Sequence, residues 1–152
     1  MPQIIPDTTV IVDTYLEMLQ GFQIRPVIPP DAATWQSLRC NLWPDGAQDH
    51  GFEIARFFAG QLSEPLAVLL AIQGGNDLIG FVEPSTRSDV PSLKGKRTGF
   101  IEGLYVVPEM RFTGAARALL RAVREWANSM KCAAFASDRS GQFIVDGHFA
   151  EP

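Results

Sequence analysis

The sequence is poor in the residues that build metal centres and disulfide frameworks. Its 152 residues include two histidines and two cysteines. Neither His50 nor His148 has a second histidine or a cysteine at ligand spacing, so we expect no metal site. Cys40 and Cys132 lie far apart, each within an apolar pattern, and we therefore expect two buried free thiols rather than a disulfide.

The sequence also lacks a basic excess and a long hydrophobic run, and we expect its first residues not to act as a secretory leader. Seventeen acidic against thirteen basic side chains give a formal net charge of -4, which disfavours a nucleic-acid partner. The longest apolar run, residues 65–72, has the length of a strand and falls short of the roughly 20 residues that cross a bilayer. Residues 1–20 have no positively charged start and carry three acidic side chains. We expect a cytoplasmic protein with neither a membrane nor a nucleic-acid partner.

Two common catalytic signatures are missing as well. No serine stands in a G-x-S-x-G turn, and no G-x-x-x-x-G-K-[ST] loop occurs, which argues against hydrolase and nucleotide triphosphatase functions. The sequence does contain 46% hydrophobic residues, enough for one core in a chain of this length. We expect residues 1–21 to be an N-terminal extension with a helix from Thr8 or Thr9 to Gln20, and residues 22–152 to form a single domain. The pattern leaves open whether the extension packs on the domain, mediates a dimer or frays.

Hydrophobic periodicity and turn residues divide the rest of the chain into helices and strands. An edge strand at 23–28 contains Pro26, and Asp31 is the expected N-cap of a helix at 32–42. The further predicted elements are a helix at 52–59, a hairpin of strands at 66–72 and 78–83, a surface loop at 84–96, a strand at 98–107, a helix starting at Gly114, a buried strand at 132–136 and a strand at 142–145. This order predicts an α+β fold with a mixed sheet flanked by helices.

The segment from Leu104 to Leu120 carries the clearest chemical signal. A strand stops at Pro108, a short turn follows, and Gly114 opens an amphipathic helix. The unpaired N–H groups and the dipole at such a helix start attract an anion, and a pyrophosphate fits there because Gly114 lets the backbone approach and Arg111 adds positive charge. The alternative is an ordinary strand-to-helix turn with a solvated arginine.

Residues 107–109 (VPE) and 111–116 (RFTGAA) resemble the coenzyme A pyrophosphate loop, R-x-x-G-x-G/A, of the GCN5-related N-acetyltransferases (GNAT). Flanking motifs resemble the aminoglycoside 6'-N-acetyltransferase branch of that superfamily: LR and LWP at 38–44, GFVE at 80–83, FIEGLYV at 100–106 and ASD at 136–138. The resemblance implies a mostly antiparallel GNAT-like sheet and an acetyl-CoA-dependent enzyme of antibiotic resistance. It implies that acetyl-CoA is held by Val106, Val107, Arg111, Phe112, Thr113, Gly114, Ala115 and Ala116.

Glu102 is the expected catalytic residue. In an alternating strand it shares a face with Phe100, Leu104 and Val106, where an unpaired carboxylate is costly, and such a position indicates use. The resemblance implies that it accepts a proton from a substrate ammonium, directly or through water. The alternative is a glutamate at a β-bulge that reaches solvent or pairs with Arg97. Asp138 is the second expected catalytic residue, with a simple turn residue as its alternative.

The expected acceptor is a small-molecule amine. Besides Glu102 and Asp138, the candidates for binding it are Glu83 at the end of the hairpin strand and Trp43, which could stack on a sugar ring. For both there is a structural alternative, a solvated carboxylate for Glu83 and a core side chain for Trp43.

After Asp138 the sequence departs from the family pattern. The family continues with a helix and two further strands, whereas residues 139–152 give glycines, a proline and one short strand pattern. We therefore expect missing or altered C-terminal strands, no residue in the usual general-acid position, and a homodimer formed by edge pairing as one substitute. A non-catalytic remnant that binds acetyl-CoA or only oligomerises, and an acetyltransferase for another amine, remain open alternatives.

Overall fold

In the computed structural model, which describes residues 22–139 and 142–149, six strands pair in chain order into one sheet. Every neighbouring pair is antiparallel except the fourth and fifth strands, which are parallel. The strands are β1 (Phe22–Pro26), β2 (Leu69–Gln73), β3 (Asp77–Arg87), β4 (Thr98–Val106), β5 (Ala134–Arg139) and β6 (Gln142–His148).

Three α-helices cover the two faces of this sheet. Helices α1 (Ala32–Leu42) and α2 (Ala47–Phe58) pack on one face through Trp35, Leu38 and Ile54. Helix α3 (Ala115–Ser129) packs on the other face through its buried alanines, Leu119 and Val123. The α+β architecture predicted from the element order, a mixed and mostly antiparallel sheet flanked by helices, is confirmed.

The helix predicted at 32–42 is confirmed with Asp31 as its N-cap residue, but the Asp31 side chain makes no capping hydrogen bond to the helix. Its carboxylate accepts hydrogen bonds from both ends of the Arg25 guanidinium, at 2.8 and 2.9 Å, and from the backbone N–H of Ile28. The next helix, α2, begins five residues before the predicted start at 52. His50 is 3% exposed and lies one turn before the buried Ile54. The apolar pattern of the sequence does not include this histidine, and the predicted helix therefore starts too late.

The loop predicted at 84–96 is wrong for its first four residues, because β3 continues through Pro84 to Arg87. In an antiparallel strand the N–H and C=O of one residue point to the same neighbour. The Pro84 carbonyl accepts hydrogen bonds from Leu66 and Ala67, which precede β2, so the missing N–H of Pro84 faces a side where the β2 ladder has already ended. The proline therefore interrupts no ladder bond.

Two irregularities in β4 shape the centre of the sheet. A β-bulge opposite Glu83 and Pro84 leaves Glu102 without a direct partner on β3. On its other side, β4 pairs with β5 only over Thr98 to Ile101, so the half of β4 that follows Ile101 has no ladder to β5. The sheet consequently opens between β4 and β5 from Glu102 onward.

The C-terminal strands are altered relative to the family pattern. β6 follows β5 after two residues and pairs with it antiparallel, so no helix separates them. β5 begins two residues later than predicted, and β6 extends three residues beyond the predicted end at 145. The prediction of a helix at residues 8–20 lies outside the described residues.

The two cysteines are free thiols, as predicted. Cys132 is buried beside Ala127 and Phe135, and burial raises the pKa of its thiol. Cys40 is half-buried rather than buried. Among the residues that the structure describes, none of the helices combines the length and the apolar character that crossing a bilayer requires.

Candidate active site

The turn between β4 and α3 forms the first part of the site. Val106 is buried at the end of β4, and the Val107 N–H donates to the Ile79 carbonyl on β3 at 2.8 Å. A single 3-10 turn, Pro108–Met110, then carries the chain toward α3. Thr113 Oγ donates to the Met110 carbonyl at 2.5 Å, and this side-chain bond stabilises the turn. These bonds fix the loop without using the N–H groups that follow it.

The start of α3 is a set of backbone donors that no side chain caps. Gly114 is the N-cap residue with φ 98°, a left-handed conformation that glycine adopts without a steric penalty. The first N–H groups of a helix have no acceptor inside it, and here they belong to Ala115 and Ala116, whose small side chains leave the approach open. The helix dipole adds partial positive charge at the same place.

Arg111 and Phe112 flank this helix start. The Arg111 Nε donates to the Val106 carbonyl at 2.9 Å, and its guanidinium carbon lies 5.5 Å from the centre of the Tyr105 ring. Phe112 is fully exposed and has φ 66°, which is unusual for a bulky residue. The eight residues expected to hold acetyl-CoA therefore form one continuous strand end, turn and helix start next to the open side of β4.

The second part of the site is a cavity of about 340 Å³ on the sheet face that carries α1 and α2. Three of the four predicted acceptor-binding residues, Trp43, Glu83 and Glu102, line it. Its remaining lining residues are Arg39, Gly46, Asp49, His50, Glu53, Glu64 and Pro65. Five carboxylates against one guanidinium make the cavity acidic.

Glu83 lies at the bottom of this cavity and is 1% exposed. Its Oε2 accepts a hydrogen bond from the Trp35 indole at 3.0 Å. The Arg39 Nε lies 2.9 Å from the same oxygen in an ion pair, although its N–H is not aligned for a hydrogen bond, and the Arg39 Nη1 donates to Glu53 at 2.7 Å. Burial raises the pKa of Glu83, and the charge of Arg39 and the Trp35 bond oppose that rise only in part.

We expect Glu83→Ala to lower the free energy of unfolding by about 3–5 kcal/mol, because it leaves a buried guanidinium without its inner partner. Urea denaturation followed by circular dichroism measures the loss. Glu53→Ala is the matched control, because it removes the outer partner of Arg39. The Glu53 side chain is 43% exposed, and we expect a loss of about 1 kcal/mol or less. Equal losses in the two variants would contradict the inner pair as the stabilising one.

The raised pKa of Glu83 also sets the sign of its pH dependence. The folded protein binds this proton more tightly than the unfolded chain does. The part of the stability that depends on this protonation is therefore complete below the pKa in the unfolded chain and is lost as the pH rises through the pKa in the folded protein. We expect Glu83→Gln to remove this slope from the pH dependence of the free energy of unfolding.

Glu102 lies at the β4 bulge and is paired with Arg87, not with Arg97. Two parallel hydrogen bonds join them, from the Arg87 Nε to Oε1 at 2.9 Å and from Nη2 to Oε2 at 2.8 Å. Ser85 Oγ also donates to Oε1. The bulge changes the alternation of β4, so the prediction that Glu102 shares a face with Leu104 and Val106 is wrong. Those two residues pack toward α3, whereas Glu102 lines the cavity on the other face.

The Trp43 ring forms one wall of the cavity directly over β4. A Cβ placed on Gly103 would lie 2.4 Å from the ring, so the glycine next to Glu102 leaves the space that the indole occupies. His50 Nε2 contacts the Trp43 carbonyl at 3.0 Å, which ties the start of α2 to the end of α1. Trp43 thus combines a packed position with a face toward the cavity.

Asp138 is the predicted acceptor-binding residue that does not line this cavity. It is exposed and follows Ser137, the last β5 residue that pairs with β4. The parallel register therefore sets its backbone level with that of Glu102 across the opening between the two strands. Asp45, in the turn between α1 and α2, is exposed, whereas Asp49 lines the cavity.

Sequence reasoning missed the two arginines, Arg39 and Arg87, that hold the site carboxylates. A signal was present for each. Arg39 is four residues after Trp35 and four before Trp43, which sets all three on one helix face. Arg87 alternates with Ser85 and Glu83 along one strand, a pattern hidden by the assumption that Pro84 ends it. Over residues 22–139 and 142–149, no group of three His, Cys, Asp or Glu side chains is arranged to hold a metal ion.

Comparison with known proteins bears on both parts of the site. A model of the acetyltransferase (GNAT) family matches residues 32–142, which include the cavity, the β4 edge and the start of α3. The chain is 43% identical over 116 residues to an aminoglycoside N(6')-acetyltransferase type 1 of Klebsiella aerogenes, covering 76% of each protein. It is 40% identical over 116 residues to the enzyme of the same name from Stenotrophomonas maltophilia, covering 76% of this chain and 73% of that one.

Solved structures give the same relationship. The aminoglycoside antibiotic 6'-N-acetyltransferase AAC(6')-Ih from Acinetobacter baumannii superposes with a TM-score of 0.70 at 33% identity, covering 79% of this chain and 80% of that one. The structure of AAC(6')-Iy in complex with the bisubstrate analogue CoA-S-monomethyl-acetylneamine superposes with a TM-score of 0.65 at 32% identity, covering 80% and 81%.

Proposed function

Because this chain belongs to the GNAT family of acetyltransferases, we propose that it transfers the acetyl group of acetyl-CoA to the 6'-amine of an aminoglycoside. It is an acetyl-CoA-dependent N-acetyltransferase. The observation that carries the proposed acceptor is the acidic cavity beside the open edge of β4. An aminoglycoside bears several ammonium groups on sugar rings, and a wall of carboxylates with one indole fits that chemistry.

Acetyl-CoA fits the strand end, turn and helix start described above. The uncapped N–H groups of Ala115 and Ala116 and the helix dipole would hold the pyrophosphate, and Arg111 would add charge. The half of β4 after Ile101 has no ladder to β5, so its backbone can pair with an amide-containing arm, and Val106 and Val107 stand at the end of this stretch. Phe112, exposed beside Thr113 and Gly114, offers an aromatic face. Bound acetyl-CoA supplies the thioester whose acetyl group is transferred.

Glu102 is the proposed proton acceptor. An ammonium cannot attack a thioester, so the amine must lose a proton first. Glu102 lies in the cavity wall next to Gly103 and Trp43, on the strand whose free edge would bind the coenzyme. Asp138 is the second proposed carboxylate, because its backbone is level with Glu102 across the opening between β4 and β5. Glu83 would act through Arg39, which shares the cavity wall with it.

Titration calorimetry with acetyl-CoA, followed by a thiol-release assay over a panel of aminoglycosides, tests this function. We expect binding and turnover that require a free 6'-amine. Binding without turnover would favour a non-catalytic remnant, and the altered strands after β5 are the feature that motivates this alternative. Turnover on a polyamine or a peptide terminus, with none on any aminoglycoside, would contradict the proposed acceptor. Absence of coenzyme binding would contradict the donor.

We further propose that the protein is cytoplasmic and forms a homodimer. In each chain, residues 22–152 would form one domain and residues 1–21 an extension. β6 is the last strand of the described sheet, and Phe143 on it is 43% exposed, which suits edge pairing with a second copy. We expect a melting temperature that rises with protein concentration. A concentration-independent transition, with a monomer in analytical ultracentrifugation, would contradict the dimer.

A further inference from the structure

The two carboxylate oxygens of Glu102 accept different numbers of hydrogen bonds. A carboxylate offers about four lone-pair positions, two on each oxygen. Among the described residues, Oε1 accepts from Ser85 Oγ and Arg87 Nε, and Oε2 accepts from Arg87 Nη2. One position therefore remains, and it lies on Oε2. The side chain is 17% exposed and lines the cavity, so this position can be reached by a ligand.

Arg87 is held independently of the carboxylate that it binds. Its guanidinium carbon lies 4.2 Å from the centre of the Phe100 ring, a core side chain that is 3% exposed. The Glu64 Oε2 lies 4.0 Å from the Arg87 Nη2. The hydrogen bonds to Glu102, followed by the charges of Glu102, Glu64 and Asp89, raise the pKa of Arg87. The guanidinium is thus a fixed cation, and it sets the orientation of Glu102 rather than following it.

We propose that Arg87 is a positioning residue for acetyl transfer: its fork fixes the Glu102 carboxylate, so that the remaining acceptor position on Oε2 receives the amine proton. The inference rests on the proposed function, since Glu102 must be the base. The proton moves from nitrogen to Oε2, directly or through one water, and the electron pair of the N–H bond stays on nitrogen as the nucleophile. The positive charge of Arg87 also repels the substrate ammonium, and this repulsion favours the neutral amine.

Several other charged or titratable groups surround Arg87 and Glu102, and a pH experiment must separate their effects from that of Arg87. Glu64 and Asp89 lie near Arg87, and Arg39, Asp49, His50, Glu53 and Glu83 line the same cavity. All these groups are still present when Arg87 alone is changed. A change in pH profile caused by an Arg87 variant, and absent from a variant of a distant ion pair, therefore reports on the Arg87 to Glu102 contact.

Arg25 provides the matched control. It makes the same two-point contact with Asp31, at 2.8 and 2.9 Å, with side-chain exposures of 32% and 15% against 24% and 17% for Arg87 and Glu102. It lies on β1, away from the cavity, and is not part of the proposed machinery. Arg25→Gln removes an equivalent surface ion pair without touching Glu102.

The test compares Arg87→Gln, Arg87→Lys and Arg25→Gln in pH profiles of kcat and kcat/KM for an aminoglycoside. We expect Arg87→Gln to lower kcat/KM about tenfold or more at neutral pH and to move its acidic limb to higher pH, because the cation that disfavours the substrate ammonium is gone. Arg87→Lys keeps the charge but loses the fork, so we expect a lower kcat with the limb nearly unmoved. The KM for acetyl-CoA should stay constant in both.

Arg25→Gln should leave the whole profile unchanged. A wild-type profile for Arg87→Gln, or an equal fall at every pH, would overturn the proposal. If Arg87→Gln fails to fold by circular dichroism, Arg87→Lys decides, because an unchanged kcat in that variant overturns the role of the fork. Failure of the proposed function is a different result: the wild-type protein would then acetylate no aminoglycoside.

Discussion

Glu102→Gln is expected to lose about 10²-fold or more of the acetyl-transfer rate at neutral pH while the affinity for acetyl-CoA stays nearly intact. The amide keeps the size of the side chain and one acceptor oxygen but cannot take a proton. The coenzyme contacts that we propose come from residues between Val106 and Ala116, and none of these residues is among the hydrogen-bond partners of the Glu102 side chain. Steady-state kinetics and titration calorimetry measure the two quantities.

The pH dependence of this defect identifies its cause. An amine deprotonates by itself as the pH rises, so the defect should shrink in alkaline buffer if Glu102 is the base. A merely structural glutamate would give a loss of equal size at every pH, together with lower stability. Turnover like that of the wild type at neutral pH would show that the base lies elsewhere, and Asp138 or a water chain would then be the better candidate.

Asp31→Asn is the control for the ion pair that Glu102→Gln also weakens. Asp31 also accepts two hydrogen bonds from one arginine, Arg25, through Nη1 and Nη2, and that contact is the main reason that the pKa of Asp31 lies below its usual value. The substitution removes a comparable contact on the far edge of the sheet. We expect Asp31→Asn to lower the melting temperature by a similar amount without changing turnover. A fall in turnover in this control would trace the Glu102→Gln effect to stability alone.

The turn between β4 and α3, the proposed coenzyme site, could be predicted from the sequence because its signals are local. A proline that ends β4, a glycine with φ 98° at the start of α3 and a clean helical period all lie within a few residues of one another. The strand, the turn and the helix therefore appear where the sequence analysis expects them. The same holds for α1, whose bounds at Ala32 and Leu42 are as predicted.

The environment of Glu102 could not be predicted in the same way, because it depends on pairing across strands. Pro84 is a strong breaker in isolation, and only the end of the β2 ladder beside it permits β3 to continue to Ser85 and Arg87. The bulge that turns Glu102 to the cavity is a property of the β3 to β4 register. Gly103 was a usable signal, since a glycine inside a strand often marks close approach by another group, here the Trp43 ring.

Gly114→Val is expected to abolish acetyl-CoA binding while the fold survives. The position has φ 98°, where a branched side chain costs about 1–2 kcal/mol, and the added methyl groups would stand before the uncapped N–H groups of Ala115 and Ala116. Each hydrogen bond from such a donor to a charged group contributes about 1.5–3 kcal/mol, so losing two lowers the affinity by about 10²-fold or more. Titration calorimetry with acetyl-CoA measures the loss.

Gly75→Val separates backbone strain from blocked approach. Gly75 has φ 95° in the turn between β2 and β3, and a Cβ there would meet no atom within 4 Å. A valine at this position therefore causes backbone strain similar to that at Gly114, but it does not stand before the start of α3. We expect the two variants to lose similar free energy of unfolding, and only Gly114→Val to lose the coenzyme. Unchanged affinity in a folded Gly114→Val variant would refute the loop as the pyrophosphate site. A loss of affinity in Gly75→Val of the same size would assign the effect to strain, because that turn is far along the chain from the donors at the start of α3.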